Sequence, residues 1–536
     1  MFWKDPKAKR LMLDTLHQEI LTPHLFLKVM REQARRPMLH AERGETWTGE
    51  GLEQSVSRYL QLFSSLGVGR ESSVALLSTN RPEVLFVDIA LSFLGALFVP
   101  LHPRGAVADY EYVIWDAGVT HLVFDPASFG APVAELQAKF PQQMKFLSLG
   151  PCQGALDLTQ ALRSQSPERL RPPAIQGDDV MRLAYSGGTT GTPKATQLTY
   201  RTIATTVSIM TSEWQWPSQP KQLLCAPLSH SGALCCLPTL LRGGSIHLLP
   251  GFDPVRVMEA IDRHRINCIL LIPTMIYSLL DHPQLAAYDL GSLETIFYGA
   301  SPMSLVRLKE AIQRFGRIFF QFYGQSEAPM TVCVMRKEEH VVDDDARLSS
   351  CGRPVPWLHV EVLDPDGQEV GPGLRGEICV RGPIVMRGYL NKPEQTQEAF
   401  AHGWLRTGDI AIRDAEGFLR IVDRSKDMII TGGFNVYARE VEHALELHPA
   451  VSIAVVFGTA DARWGEAVSA AVVLRRDMMV SAEELIAHVR ELKGPVHTPK
   501  LLVFLESMPL TALGKPDKKL LREMVSAGSG VSDARE

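Results

Sequence analysis

The sequence predicts an α/β protein: a large N-terminal domain of parallel-rich sheets with a small β-barrel-like subdomain, and a small C-terminal α+β domain. Three observations lead to this prediction: the length of 536 residues, the alternation of apolar runs with amphipathic stretches from residue 45 to 380, and a change of pattern after residue 355. A chain of this length exceeds the size at which one hydrophobic core keeps growing. We expect domains at 1–425 and 426–536, with the barrel-like part at 355–425.

The first region contains short β-rich apolar runs, among them SSVALLS (72–78), THLVFD (120–125), INCILLIP (266–273) and LETIFYGA (293–300). Helical spacing of apolar residues is found in VRVMEAIDRH (255–264) and LVRLKEAIQRF (305–315). Strands separated by helices predict parallel sheets with helical crossovers. The longest apolar run, 84–101, is interrupted by Asp88, Gly95 and Pro100. It therefore predicts a buried helix and a core strand rather than a membrane span.

The pattern of apolar and polar residues changes in the later regions. HVEVLDPDG, GEICVRG and GFLRIVDR are short strand patterns bounded by Gly, Pro and Asp, which favour antiparallel hairpins or a small barrel. A helix, two strands, a helix and a strand then follow in REVEHALEL, VSIAVVFG, AVSAAVVLR, SAEELIAHVREL and KLLVFLE. Ser481 and Glu484 predict a capping box at the start of the second helix. DRSKD (423–427) connects the two regions where a hinge is expected.

Composition limits the kinds of partner. The chain is 45% apolar and 21% charged, and 55 Lys and Arg against 60 Asp and Glu give a formal charge of −5. No overall field favours nucleic acid or an anionic membrane, so we expect small-molecule partners. MFWKDPKAKR lacks the apolar stretch of a secretory signal, which predicts a cytoplasmic protein. The eight cysteines form no C-x-x-C pair and are expected to pack in the core.

A glycine-rich segment, YSGGTTGTPKATQLTY (185–200), indicates a phosphate site. Glycines allow successive backbone N–H groups to turn toward an anion. Thr192 and Pro193 separate Gly191 from Lys194, so the segment is not the Gly-Lys-[Ser/Thr] loop of mononucleotide kinases and GTPases. Backbone amides remain suitable for phosphate, together with the hydroxyl groups of Ser186, Thr189, Thr190 and Thr192.

Four further segments follow in order: FYGQSEAP (322–329), GWLRTGDI (403–410), DRSKDMIITGGFNVYAREVE (423–442) and PLTALGKPDKK (509–519). With the glycine-rich segment, they resemble the signature of the adenylate-forming superfamily of acyl- and aryl-CoA synthetases, luciferases and peptide-synthetase adenylation domains, in its acyl-CoA synthetase branch. The resemblance implies ATP, Mg²⁺ and coenzyme A as cofactors. It also implies a reaction in two steps, in which a carboxylate attacks the α-phosphate of ATP and a thiol then displaces AMP.

The resemblance assigns roles to individual residues. Thr189, Thr190, Gly191 and Lys194 would hold the β- and γ-phosphates, with Lys194 counted as catalytic. Glu327 would bind Mg²⁺ as a catalytic metal ligand. The expected contacts to adenine, ribose, α-phosphate and the rest of the nucleotide come from Tyr323, Asp409, Arg424, Ser326, Ser186, Gly187, Gly299, Ala300, Ser301 and Gly324.

Lys515 carries the greatest weight among these assignments. By resemblance, its ammonium group would lie between the substrate carboxylate and the α-phosphate and would cancel their repulsion. Lys426 would be the hinge about which the C-terminal domain rotates as a mobile lid. Gly432 and Gly433 would then face the pantetheine of coenzyme A, and a tight hairpin turn is the structural alternative for both.

The acid-binding pocket is expected around His230, Ser231 and Gly232, where the family usually has a gating aromatic or imidazole group. The small residues here and at Gly299, Ala300 and Ser301 leave room. Room favours a hydrophobic acid, either a medium- or long-chain fatty acid or a bulky alicyclic or aromatic acid.

The sequence leaves two alternatives open. One is an acyl-AMP ligase that loads a separate carrier protein, and the other is a catalytically silent nucleotide-binding regulator. Glu327 and Lys515 together argue against the regulator, because a binding protein does not need a cation at the reacting centre. A homodimer is also left open.

Overall fold

The computed structural model describes residues 19–186, 193–424, 427–461, 463–511 and 514–526. Strands and helices are numbered along this described part of the chain. Four sheets organise it, and their strand types confirm the predicted fold class. No helix in these ranges is both long enough and apolar enough to cross a membrane.

The largest sheet has nine strands in the order β16-β15-β14-β13-β12-β10-β11-β1-β2. Its central strands from β14 to β1 are parallel, and β15, β16 and β2 pair in antiparallel fashion at the edges. Its strands are β1 Pro37–Ala41, β2 Thr46–Thr48, β10 Lys221–Leu224, β11 Ser245–Leu248, β12 Cys268–Leu271, β13 Thr295–Gly299, β14 Phe319–Tyr323, β15 Cys333–Met335 and β16 Arg353–Pro354.

The second sheet has seven strands in the order β7-β6-β5-β3-β4-β8-β9. It is parallel except for β9, which returns along β8. Its strands are β3 Ser73–Leu77, β4 Leu97–Pro100, β5 His121–Phe124, β6 Lys145–Ser148, β7 Leu156–Asp157, β8 Val180–Ser186 and β9 Lys194–Thr199.

Helices join and cover these two sheets. They are α1 Thr22–Glu32, α2 Gly49–Ser65, α3 Pro82–Leu94, α4 Val107–Asp116, α5 Pro126–Lys139, α6 Leu158–Ala161, α7 Tyr200–Glu213, α8 Ser231–Leu241, α9 Pro254–His264, α10 Pro273–Leu280, α11 Leu305–Phe315 and α12 Asp345–Leu348. The main core joins α1, α2, α3, α7 and α8 to side chains from both sheets. The apolar run 84–101 forms most of α3 and then β4, as predicted.

A four-stranded antiparallel sheet follows, in the order β17-β18-β19-β20, which fits the antiparallel hairpins predicted for this region. Its elements are β17 His359–Leu363, β18 Arg375–Arg381, α13 Pro393–Ala399, β19 Leu405–Arg413 and β20 Leu419–Arg424. The described cysteines are all free, and seven of the eight are buried, so their predicted packing role is confirmed.

The last sheet is mostly antiparallel, and β25 pairs in parallel with β24 at one side. Its elements are β21 Ile429–Thr431, β22 Phe434–Val436, α14 Ala438–Glu446, β23 Val451–Asp461, β24 Gly465–Leu474, α15 Ala482–Lys493, β25 Leu501–Phe504 and α16 Lys518–Ser526. The predicted order of elements is confirmed. The Ser481 side chain accepts a hydrogen bond from the Glu484 N–H and caps α15.

Candidate active site

The glycine-rich segment joins two neighbouring antiparallel strands. Ser186 ends β8 and Lys194 begins β9, and the two residues are opposite each other in the register. The predicted phosphate contacts of Gly187, Thr189, Thr190 and Gly191 lie outside the described residues. The structure therefore locates the base of this segment, at the edge of the seven-stranded sheet.

Lys194 and Glu327 are joined by a residue that the sequence analysis missed. The Lys194 ammonium group lies 5.1 Å from the ring centre of Tyr389, and the Tyr389 hydroxyl donates a 2.8 Å hydrogen bond to Glu327 Oε1. Burial and the Glu327 charge raise the pKa of Tyr389, so its hydroxyl remains a donor. Backbone pairing holds Tyr389 here, because the Leu390 N–H donates to the Ala195 carbonyl oxygen at 2.9 Å. No motif marks Tyr389 in the sequence.

Glu327 fits the predicted role of a magnesium ligand. It follows β14, and its carbonyl oxygen accepts a 2.8 Å hydrogen bond from the Met386 N–H, which fixes the backbone. A carboxylate is a hard oxygen ligand, and Mg²⁺ is commonly held by one or two carboxylates together with substrate phosphates. The described residues contain no cluster of three or more His, Cys, Asp or Glu suited to a metal ion. Glu327 would thus hold a magnesium ion together with the phosphates of a bound substrate.

Asp409 is the centre of a buried hydrogen-bond network. Its Oδ2 accepts 2.6 Å hydrogen bonds from the Tyr323 hydroxyl and from Gln325 Nε2. Its Oδ1 accepts from Arg424 Nε at 3.0 Å, because the two residues face each other across β19 and β20. The Asp409 charge raises the pKa of Arg424. The structure thus brings together three predicted nucleotide contacts and adds Gln325, which lies inside a recognised motif but was not singled out.

Tight turns follow β13 and β14, at the ends of adjacent parallel strands where ligands bind in α/β sheets. A Cβ atom on Gly299 would lie 2.2 Å from the Phe322 carbonyl oxygen, and one on Gly324 would lie 2.4 Å from the Met330 nitrogen. Ala300 has a φ of 64°, a conformation that costs energy for a residue with a side chain and is often found at functional sites. Ser301 and Ser326 continue these two turns.

His230 precedes α8 and lies in a crowded polar environment. Its Nδ1 is 2.9 Å from Ser229 Oγ, and its ring centre is 4.8 Å from that of His102. Burial lowers the pKa of His230 to about 3, with further contributions from His102, Arg182 and Lys515. The imidazole is therefore neutral at physiological pH.

Ser231 and Gly232 begin α8 beside His230. A Cβ atom on Gly232 would lie 2.6 Å from the Ala226 carbonyl oxygen, so this glycine allows the helix to pack closely on the preceding loop. His102 was missed by the sequence analysis, because it lies far from His230 along the chain.

Lys515 reaches the same region from the C-terminal part of the chain. The Thr511 N–H donates to the Lys515 carbonyl oxygen at 2.7 Å, and Thr274 Oγ1 lies 3.4 Å from the Gly514 carbonyl oxygen. The segment is thus seated at the start of α10, and the Lys515 charge is close enough to lower the pKa of His230. This proximity links the candidate lysine to the candidate acid pocket.

The other predicted residues of the C-terminal part lie apart from this region. Gly432 and Gly433 form the two-residue turn between β21 and β22, with φ values of 57° and 82°, as a tight hairpin requires. Both glycines are exposed. Lys426, the predicted hinge, lies outside the described residues.

Two family profiles match this chain. Residues 26–390 match the profile described as AMP-binding enzyme, and residues 440–515 match the profile described as AMP-binding enzyme C-terminal domain. Together these ranges include Lys194, Glu327 and Lys515.

Several curated proteins are similar over most of their length. The medium/long-chain-fatty-acid–CoA ligase FadD8 of Mycobacterium tuberculosis is 45% identical, over 95% of this chain and 90% of its own. The feruloyl-CoA synthase of Amycolatopsis is 35% identical, over 88% and 92% respectively. Among solved structures, the amide bond synthetase McbA of Marinactinospora thermotolerans superposes with a TM-score of 0.84 at 32% identity, over 94% of this chain and 99% of its own.

Proposed function

The chain belongs to the family of AMP-binding enzymes, and on that premise we propose that it is an ATP-dependent, AMP-forming acyl-CoA synthetase for a hydrophobic carboxylic acid. It is an acid–thiol ligase that uses ATP, Mg²⁺ and coenzyme A. The observation that carries the proposal is the docking of the Lys515 segment at α10, within electrostatic reach of His230. A lysine at this position gives the protein a cation where acid and nucleotide would meet.

In the first step, the acid carboxylate attacks the α-phosphorus of ATP, and pyrophosphate leaves. Two anions must approach each other, so fixed cations and donors around them lower the barrier. Lys515 would neutralise the carboxylate and the α-phosphate, and Lys194 would neutralise the leaving pyrophosphate. A magnesium ion held by Glu327 would supply further positive charge at the phosphates.

Asp409 and Arg424 would position the ribose of the nucleotide. The Asp409 carboxylate is buried and pairs with Arg424. Hydroxyl groups can donate to this carboxylate and accept from the guanidinium, which suits the ribose. Tyr323 and Gln325 orient the carboxylate for that contact.

In the second step, the thiol of coenzyme A attacks the acyl-adenylate and displaces AMP. The exposed hairpin of Gly432 and Gly433 supports a rotation of the C-terminal part between the two steps. Ile430, Phe434 and Trp464 around this hairpin are 52%, 60% and 39% exposed, although they are large apolar residues. Exposed apolar surface of this kind suits a face that becomes covered in another arrangement of the chain.

The acid is proposed to be hydrophobic, as it is in the name of the fatty-acid relative. The small residues at the start of α8 and the neutral imidazole of His230 favour an apolar acyl chain beside them. The cytoplasmic location predicted from the sequence is part of the same proposal.

The test is pyrophosphate release across fatty, alicyclic and aromatic acids, with and without coenzyme A. We expect release with at least one hydrophobic acid and formation of its thioester when coenzyme A is present. Release without a thioester would support the acyl-AMP ligase, which loads a carrier protein. Absence of release with every acid would support the silent regulator.

A further inference from the structure

A buried arginine with few partners lies behind His230. Arg182, on β8, is 5% exposed. In the described part of the chain, its hydrogen bonding is limited to Nη2, which donates to the Ser229 carbonyl oxygen at 3.3 Å. A guanidinium carries several N–H donors in a planar fork, so most of this group's capacity is unused. Its carbon also lies 5.4 Å from the ring centre of Phe98, which supplies no acceptor oxygen.

Asp88 supplies the opposite charge nearby. It lies in the middle of the apolar helix α3, which also has Glu83 in its first turn, and its charge interacts with that of Arg182. No described residue provides a hydrogen-bond partner for Asp88 Oδ1. The two groups form no ion pair within 4.0 Å in the described ranges. Burying two charges without direct contact is costly, because neither is fully compensated for lost hydration.

Several side chains around the buried Arg182 are partly accessible. Asp88 and His230 are each half-buried. Ala184, which follows Arg182 on the same face of β8, and Ala233 on α8 are also partly accessible. Partly accessible side chains therefore occur on β8, α3 and α8 around Arg182.

Hydrogen bonds place Arg182 next to the candidate acid pocket. Arg182 Nη2 donates to the carbonyl oxygen of Ser229, and the Ser229 hydroxyl lies 2.9 Å from His230 Nδ1. The Lys515 segment is seated at the start of α10, and its charge also acts on His230. An acid that is activated near Lys515 and passes His230 would therefore come close to Arg182.

We propose that Arg182 and Asp88 form a polar subsite in the acid pocket, which recognises a hydrogen-bond-accepting oxygen on the acid at a distance from the carboxyl group that is activated. The oxygen belongs to a carbonyl, a hydroxyl or a second carboxylate, since each can accept from the guanidinium. This inference rests on the proposed function. It makes the substrate a functionalised hydrophobic acid rather than a plain fatty acid.

The test compares acids that share a carbon skeleton and differ in one oxygen group. Unsubstituted saturated acids are paired with their oxo, hydroxy and second-carboxyl counterparts, with the substituent moved along the chain. We expect kcat/KM for thioester formation to be at least about 10-fold higher for the best substituted acid, the scale of a hydrogen bond to a charged group. Comparison of the oxo, hydroxy and second-carboxyl acids shows which type of oxygen the subsite binds.

Substitution of the arginine separates recognition from a structural role. In Arg182→Met, the ratio of kcat/KM between the substituted and unsubstituted acids is expected to fall to near one, and Arg182→Lys is expected to restore part of it. Arg70→Met is the matched control, because Arg70 is an exposed arginine paired with Asp179. If Arg182→Met does not fold, the same ratio of kcat/KM is measured in Asp88→Asn and compared with the wild-type ratio.

Two results would overturn the inference. One is a wild-type enzyme that uses every unsubstituted acid at least as well as its counterparts. The other is an Arg182→Met variant that loses the same factor for both acids, which would show a structural role. In either case thioester formation from plain acids leaves the proposed function intact, whereas absence of pyrophosphate release with all acids would refute the function itself.

Discussion

At the scale of single residues, the candidate site depends on charges brought together from distant positions. Lys515 comes from the C-terminal part, Glu327 follows β14, and Tyr389 connects Glu327 to Lys194. The charges of Lys515 and Arg182 both act on His230, and burial lowers the pKa of His230 to about 3, so the imidazole adds no third positive charge. The surroundings of His230 therefore attract anions, and the imidazole itself is uncharged.

Replacement of Lys515 tests the central assignment. We expect Lys515→Ala to slow pyrophosphate release by about 100-fold or more, the scale of a lost electrostatic stabiliser. Thioester formation from a supplied acyl-adenylate should be largely spared, because the repulsion between acid and phosphate no longer has to be overcome. The control is Lys519→Ala, since Lys519 is an exposed lysine on the following helix. Pyrophosphate release by Lys515→Ala at the wild-type rate would contradict the assignment.

At the scale of elements, the parallel strands β13 and β14 place their following turns side by side. Gly299 is part of this arrangement because its backbone lies against the Phe322 carbonyl oxygen. The sequence analysis assigned Gly299, Ala300 and Ser301 to ligand contacts. The structure adds a packing requirement for Gly299, which acts whether or not a ligand is bound.

A methyl group at Gly299 is therefore expected to destabilise the large sheet. Gly299→Ala would place Cβ 2.2 Å from a backbone oxygen that cannot move without displacing β14. Overpacking of this kind costs about 1–3 kcal/mol in the free energy of unfolding. Thermal denaturation without ligands measures it, and Gly251→Ala is the control because its Cβ would meet no atom within 4 Å. Equal melting temperatures for the two variants would refute the packing argument.

At the scale of the whole molecule, polar groups of the C-terminal part contact β18 of the four-stranded sheet and helix α11. Arg375 pairs with Glu440 at 2.9 Å, and Glu310 pairs with Arg475 at 3.3 Å. Interfaces between domains that move are typically more polar than permanent ones. This character favours an interface that forms and separates during a reaction of two steps.

Glu446 gives this interface a pH dependence. The residue ends α14 and its charge acts on Tyr277 of α10, with Arg439 and Glu442 as its charged neighbours on α14. Burial raises the pKa of Glu446 from 4.5 to about 7. The docked arrangement therefore binds a proton more tightly than an arrangement in which Glu446 faces water, so docking weakens as pH rises from about 4.5 to about 7.

Fluorescence energy transfer between labels on the two parts measures this dependence. We expect the docked population of the wild-type protein to fall as the pH rises through that interval, because the buried carboxyl group must ionise or separate. Glu446→Gln should remove this component of the pH profile, since the amide is neutral throughout. An unchanged profile in Glu446→Gln would assign the dependence to another group.

The hinge prediction concerns the same motion. Lys426→Pro is expected to slow thioester formation while sparing pyrophosphate release, because proline restricts the φ angle about which the C-terminal part would rotate. Single-turnover measurements of the two steps separate the effects. Equal losses in both steps would argue against a hinge at this position.

The sequence by itself determined the fold class, the order of the C-terminal elements and the family, because these depend on local periodicity and on motifs contiguous along the chain. The tertiary structure decided which of the motif residues meet and which others join them. Tyr389 reaches Glu327 through pairing with β9, and Arg182 and Asp88 approach each other from a strand and a helix nearly a hundred positions apart. Such contacts depend on how the sheets and helices pack against each other. Charges and hydrogen bonds act between groups that are close in space, whatever their separation along the chain.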